Sequence, residues 1–141
     1  FLPTSDPLVQ ETIAAVRRSL ERDGLIYRYL SPDGLDGDEG AFLLCSFWLV
    51  DCLIHGGQIE QAEALLTRLL SFANDVGLLA EEVDPAGGDA LGNFPQAFSH
   101  MALVHSCAHL TAAKQGLIPR DGAVDYSEAA LDRLLARRAG R

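Results

Sequence analysis

Apolar residues recur at helical spacing in several segments of the chain, and these segments predict its helices. Asp6 followed by Pro7 is a typical helix start, because an aspartate side chain caps free backbone amides and proline fits the first helical position. The pattern predicts a first amphipathic helix that ends near residues 23–24. Its apolar positions fall on one stripe: Leu8, Val9, Ile13, Val16 and Leu20.

A second segment, from about Glu39 to His55, is apolar on nearly all sides and should be buried on most of them. Glycines 56–57 close it in the usual C-terminal manner. A third, amphipathic helix is expected from Gln58 to Asn74. Because so few residues join the second and third helices, we expect them to be antiparallel neighbours.

Two later segments complete the predicted fold. A fourth helix is expected with Asn93 as its N-cap and with Met101, Val104, Ala108 and Leu110 in its core pattern. A short fifth helix is expected to start at Asp125. No segment shows sustained strand alternation, so the sequence predicts an all-α fold of about five helices arranged as antiparallel hairpins.

The connections before the second and fourth helices are long, and they are rich in carboxylates. Residues 23–39 and 75–92 hold ten of the 20 acidic side chains, and Arg28 is their only basic residue. If the helices alternate in direction, both connections emerge at the same end of the bundle. Aromatic rings lie within or beside them at Tyr27, Tyr29, Phe94 and Phe98. Carboxylates beside rings are typical of a sugar site, since carboxylates bind hydroxyls and rings cover apolar sugar faces.

Composition excludes several classes of partner. The net charge of −9 would repel a phosphate backbone, so no nucleic-acid partner is expected. The longest apolar stretch, residues 42–50, is too short to cross a bilayer, so no membrane association is expected. Three cysteines within apolar helical patterns favour a reducing, cytoplasmic location. No cofactor is expected, and the start at Phe1 suggests a fragment of a longer protein.

Three runs of sequence, residues 37–48, 79–85 and 91–100, resemble the bacterial branch of the glucoamylase and trehalase family, glycoside hydrolase family fifteen. The resemblance implies an (α/α)6 toroid of twelve helices with its active site in the loops at one end. Residues 1–141 would be the C-terminal portion of such a catalytic domain, a partial toroid. Glucoamylase-like, trehalase-like and glucodextranase-like activities stay open at this point.

The resemblance also implies a chemistry, the hydrolysis of α-glucosidic bonds with inversion. Glu81 matches the family's general base, although Ala80 stands where the family usually has serine. The general acid would lie upstream, outside this chain, so the chain alone is expected to be inactive. From chemistry alone Glu82 could not be separated from Glu81, and the match to the family favours Glu81.

The remaining candidates are substrate-binding residues. Arg28 matches a family arginine that holds sugar hydroxyls, and the alternative is an ion pair with a loop carboxylate. Glu39 falls where the family lines its pocket, and the alternative is a carboxylate favoured by a helix N-terminus. Tyr29 and Glu82 are expected to contact the substrate beside them.

His105 and His109 lie four residues apart and invite a metal hypothesis. A zinc site needs a third ligand and a polar pocket, whereas the other residues of this helix have an apolar core pattern. We therefore expect no metal. Cys45 and Cys52 are expected to pack as small hydrophobes.

A protein of a different class is the main alternative: a non-catalytic helical-repeat interaction module, suggested by the hairpin-like segment 61–74. No period near ~34 residues recurs, which argues against it. For a partial toroid we expect an exposed apolar flank along the first and last helices, and therefore self-association.

Overall fold

The computed structural model describes residues 2–31, 34, 39–117 and 136. Within them lie four helices, α1 (Pro7–Leu20), α2 (Leu43–His55), α3 (Ile59–Leu70) and α4 (Ala97–Lys114). The same residues form five two-residue strands: β1 (Glu21–Arg22), β2 (Leu25–Ile26), β3 (Ala41–Phe42), β4 (Glu82–Val83) and β5 (Ala90–Leu91). The predominantly helical fold is confirmed, and the short strands are additions that the hydrophobic pattern did not predict. Across the described ranges, no helix combines the length and apolar character that a bilayer crossing requires.

The first helix begins as predicted. Asp6 accepts a hydrogen bond from the Leu8 amide at 2.8 Å, and Pro7 occupies the first turn. After Leu20 the chain turns through Asp23 and Gly24, both at positive φ, into the antiparallel pair β1–β2. The helix therefore ends before the predicted residues 23–24, because these residues form the hairpin turn.

Helix α2 is the centre of the core, as its apolar sequence predicts. Its fully buried residues include Leu43, Phe47 and Val50, and both α3 and α4 pack against it. It begins at Leu43 and not at the predicted Glu39, because Ala41 and Phe42 are taken up by strand β3. The predicted end is confirmed, with Gly57 at a φ of 73°.

Two expectations for α4 were wrong. Its N-cap is Gln96, whose side chain accepts from the Phe98 amide at 3.4 Å, whereas Asn93 is engaged with Glu81. Most of the predicted core pattern is exposed, although Leu110 of that pattern is buried as predicted, and the other buried positions of the helix carry small or polar residues. The exposed residues are Met101, Val104 and Ala108, and the buried ones are Ser99, Ala102, Ser106, His109 and Leu110.

The two long connections meet at one end of the helices, as predicted. Strands β3, β4 and β5 form one antiparallel sheet, in which Ala41 pairs with Val83 and Glu82 with Leu91. An isolated bridge between Tyr27 and Ala41 ties the first connection to the same sheet. The fifth helix expected from Asp125 lies outside the described residues.

Candidate active site

Arg28 is the centre of a polar cluster at the sheet end of the helices. Its Nε and Nη2 lie 3.2 and 2.9 Å from Oε1 of Glu39. Nη2 also lies 3.4 Å from Oε1 of Glu82 and 3.4 Å from the Tyr29 hydroxyl. The structure thus brings together all four residues that the sequence predicted as substrate-binding.

Aromatic rings cover the same guanidinium. The guanidinium carbon of Arg28 lies 4.9 Å from the centre of the Tyr29 ring and 5.0 Å from that of Phe42. The hydrogen bonds and charge of Glu39, which outweigh partial burial, raise the pKa of Arg28 further, so its positive charge is permanent. About two fifths of the side chain, 43%, remains exposed, so its nitrogens can also reach a ligand.

Glu82 is buried beneath this cluster, with 8% of its surface exposed. Its Oε2 accepts a hydrogen bond from the Gly40 amide at 3.2 Å. Burial raises the pKa of Glu82, and the neighbouring Glu39 raises it further, while the Gly40 amide and Arg28 oppose the shift. A side chain at position 40 would come within 3.0 Å of the Glu82 Cβ, so glycine at this position permits the close approach of Gly40 to Glu82.

Glu81 is held separately, by one asparagine. Its Oε2 accepts from the Asn93 backbone amide at 3.1 Å and from the Asn93 Nδ2 at 2.7 Å. Its own amide donates to the Asn93 carbonyl at 2.9 Å, and its carbonyl accepts from Leu43 at 3.1 Å. The side chain stays half-buried, so the loop fixes this carboxylate without removing it from water.

Comparison with known proteins assigns this chain to a family. Residues 1–108 match the family described as "Glycosyl hydrolases family 15". The chain belongs to glycosyl hydrolase family 15.

Curated relatives agree with the family. The chain is 48% identical over 118 residues to "Trehalase" of Mycobacterium tuberculosis, a match that covers 82% of this chain and 17% of that protein. It is 40% identical over 114 residues to "Trehalase" of Thermoplasma volcanium, covering 80% and 18% respectively. To "Trehalase 2" of Sulfolobus acidocaldarius it is 33% identical over 107 residues, covering 75% and 18%. The chain thus spans less than a fifth of the length of these relatives. No solved structure matches significantly.

Against this family background, the two adjacent glutamates differ in a way that the sequence did not reveal. They face different partners because neighbouring residues of an extended backbone point to opposite sides. Glu82 is buried under Arg28 and beside Gly40, whereas Glu81 faces Asn93 at the surface. Among the described residues no hydrogen bond joins Glu81 to the Arg28 cluster.

Several supporting residues of the candidate site were missed in the sequence. Asn93 was interpreted as a helix cap, and its bonds to Glu81 could not be inferred from a residue twelve positions away. Gly92, at a φ of 69°, lies so close that a Cβ there would be 3.0 Å from Oε2 of Glu81. The sequence feature that could have indicated this role of Asn93 is the Gly92–Asn93 pair just before a Pro-containing helix start.

Helix α4 anchors the loop that carries Glu81. Ser99 is buried and donates to the carbonyl of Ala80 at 2.7 Å. The Nε2 of His100 accepts from the Leu79 amide at 3.2 Å. The backbone on the N-terminal side of Glu81 is thereby tied to the first turns of the helix.

Proposed function

We propose that this chain supplies the general-base side of a family 15 enzyme that hydrolyses an α-glucosidic bond with inversion. The observation that carries the proposal is the Glu81 carboxylate, half-buried and held through Oε2 by Asn93, next to a second glutamate that is buried and paired. A general base must meet water and must be oriented, and Glu81 meets both requirements better than Glu82.

The proposed reaction needs two carboxyl groups on opposite faces of the bond. Glu81 takes a proton from a water molecule whose oxygen attacks the anomeric carbon. The bond from that carbon to the leaving oxygen breaks as a carboxylic acid protonates that oxygen. We place this acid in the part of the family's length that this chain does not cover. Oε1 of Glu81, to which Asn93 does not bond, is the oxygen that accepts the proton.

The Arg28 cluster supplies the proposed sugar contacts. A guanidinium presents several donors in one plane, which suits vicinal hydroxyls as well as carboxylates. Glu39 accepts from a hydroxyl, Tyr29 offers an aromatic face, and Glu82 holds Arg28 in place from beneath. Because the relatives are trehalases, we propose trehalose or a similar α-glucoside as the substrate.

Substitution of Glu81 tests the proposal directly. In the enzyme that contains this chain, Glu81→Gln keeps the side-chain shape but cannot accept a proton at neutral pH. We expect kcat on trehalose to fall by about 10²–10⁴-fold with KM little changed. Glu63→Gln, at an exposed carboxylate paired with Lys114, is the matched control and should keep full activity. A Glu81→Gln enzyme within a few-fold of wild type would reject the assignment, and proton NMR of the first sugar released reports inversion.

The chain by itself is proposed to be inactive and to self-associate. The expected fifth helix lies outside the described residues, and within them apolar side chains are exposed along α1 and α4, including Leu8 at 64%, Met101 at 66% and Val104 at 69%. Such surface is usually covered in soluble proteins. Light scattering should therefore show oligomers of the 141-residue chain, with no hydrolysis of trehalose or maltose. A clean monomer, or measurable turnover, would show that the chain is a self-sufficient domain.

We also propose a cytoplasmic location. All three cysteines are free and half-buried, and burial raises the pKa of each thiol, so all three stay protonated and unreactive. Thiol titration of the denatured, freshly isolated protein should find three free thiols. A disulfide in that sample would contradict a reducing location.

A further inference from the structure

A second polar cluster joins α2 to α4 through side chains that the proposed reaction does not use. Nδ1 of His105 lies 3.1 Å from Oδ2 of Asp51, and Nδ1 of His109 lies 3.8 Å from Oδ1 of the same residue. The two imidazole rings are 3.9 Å apart between centroids. One potential ligand atom from each of the three residues lies within 4.8 Å of the others.

Both helices build this arrangement locally. His105 and His109 lie one turn apart on α4, so their side chains share a face. Asp51 reaches them from α2, which lies close enough to α4 for Ser106 to donate to the Phe47 carbonyl at 3.3 Å. The fully buried Ser106 donates to Oδ1 of Asp51 at 2.9 Å and so orients the carboxylate. The sequence argued against a metal because no third ligand was evident, and the tertiary structure supplies one.

We propose that Asp51, His105 and His109 bind a Zn²⁺ ion that links α2 to α4, with water as the fourth ligand. Zinc binds imidazole nitrogen and carboxylate oxygen at about 2.0–2.2 Å in tetrahedral geometry, which sets neighbouring ligand atoms about 3.3 Å apart. The 3.1 and 3.8 Å separations are to different oxygens of Asp51, and the three ligand atoms lie within 4.8 Å of one another, so side-chain rotations must draw them together around the ion.

The surroundings favour zinc over a harder cation and give it a route in. Magnesium and calcium prefer oxygen ligands throughout, whereas this site offers two nitrogens. His105 is 52% exposed, so an ion can enter from solvent. Ser106 is the outer residue that positions a ligand, as is usual in zinc sites. The ring of His55 packs edge-on against His109, with centroids 5.2 Å apart, and limits its rotation.

Isothermal titration of the tag-free, chelator-treated intact protein with zinc sulfate tests the site. We expect one zinc ion per chain and no heat of binding with magnesium. Cobalt in place of zinc should give the visible absorption bands of a tetrahedral site, a readout that does not depend on hydrolysis. Saturable zinc binding should also raise Tm, because only the folded state aligns the two helices.

Substitutions of the proposed ligands test which residues bind the ion. His105→Gln and Asp51→Asn should each weaken zinc binding by more than a hundredfold, and Ser106→Ala by about ten- to a hundredfold. Because His105 is exposed, its variant should fold normally, which circular dichroism checks. Glu63→Gln, a carboxylate that also pairs with α4 but lies outside the cluster, should bind zinc like wild type. Absence of stoichiometric binding, or unchanged affinity in both His105→Gln and Asp51→Asn, would overturn the proposal.

Discussion

The polar residues at the sheet end and those between α2 and α4 are held in position by different means. At the sheet end, Arg28 meets Glu82 across 54 positions of sequence, through the register of two-residue strands. Between the helices, His105 and His109 share a face through helical periodicity, and one residue from α2 completes the cluster. The first arrangement depends on backbone paths in loops, the second on side-chain choice along regular helices.

The two regions should respond differently to substitution. A loop site is sensitive to glycine positions and to residues that anchor backbone, because close approach and turn geometry place its carboxylates. A helical site is sensitive mainly to the side chains themselves. Variants of the loop region should therefore lose hydrolysis and keep zinc, and Asp51→Asn should lose zinc and keep hydrolysis.

After Glu81→Gln, the largest effect is expected from Arg28, the residue that ties the loop cluster together. Arg28→Ala removes charged hydrogen bonds to Glu39 and the proposed contacts to sugar hydroxyls, each worth about 1.5–3 kcal/mol. We expect kcat/KM on trehalose to fall about a hundredfold, with Arg28→Lys recovering only part because an ammonium lacks the planar fork. Steady-state kinetics measures this. Unchanged kcat/KM in both variants would make Arg28 purely structural, and Asp51→Asn is the control from the helical region.

A smaller effect is expected from the side chain that orients Glu81. Asn93→Ala removes the 2.7 Å hydrogen bond to Oε2 but keeps the backbone bond. The carboxylate should then sample more orientations, lowering kcat about tenfold while KM changes little. Asn74→Ala, which loses side-chain hydrogen bonds in the same connection but does not touch Glu81, is the matched control. Equal kcat values in the two variants would remove Asn93 from the site.

Glycine at position 92 leaves room for the Glu81 carboxylate. In Gly92→Ala, a Cβ would lie 3.0 Å from Oε2 of Glu81 at a φ of 69°, so both strain and displacement are expected. We expect a loss of stability of about 1 kcal/mol together with a several-fold fall in kcat. Gly88→Ala separates the two causes, because Gly88 has a φ of 79° and nothing within 4 Å. It should lose similar stability and keep kcat, and a matching fall in kcat would point to strain alone.

The smallest expected effect is a pH-dependent difference in Tm on substitution of Glu82. Burial raises the pKa of Glu82 above its ordinary value near 4.5, so the folded state favours the protonated form. Stability from this group is complete below pH 4.5 and is lost as pH rises through the higher folded pKa. Glu82→Gln mimics the protonated form and should have a slightly higher Tm than wild type at pH 7, with the difference vanishing near pH 4. A variant less stable than wild type at every pH would show that pairing with Arg28 outweighs the burial.

Much of the local structure was predictable. The Asp6–Pro7 start of α1, the buried character of α2 and its glycine end follow from interactions within a few residues. Helix α4 was harder, because the residues that look like its core, Met101 and Val104, are its exposed face. A helix whose own apolar residues lie on all sides has no single apolar stripe, so the face that it buries depends on which neighbour packs against it.

The sequence by itself determined the helical class, the family and the identity of the candidate glutamates and arginine, since periodicity and sequence runs are local properties. Only the tertiary structure decided which carboxylate is buried, which is held by Asn93, and which third residue joins His105 and His109. These outcomes depend on strand register and on the approach of two helices. Both are set by packing between segments that are distant in sequence, so no local pattern encodes them.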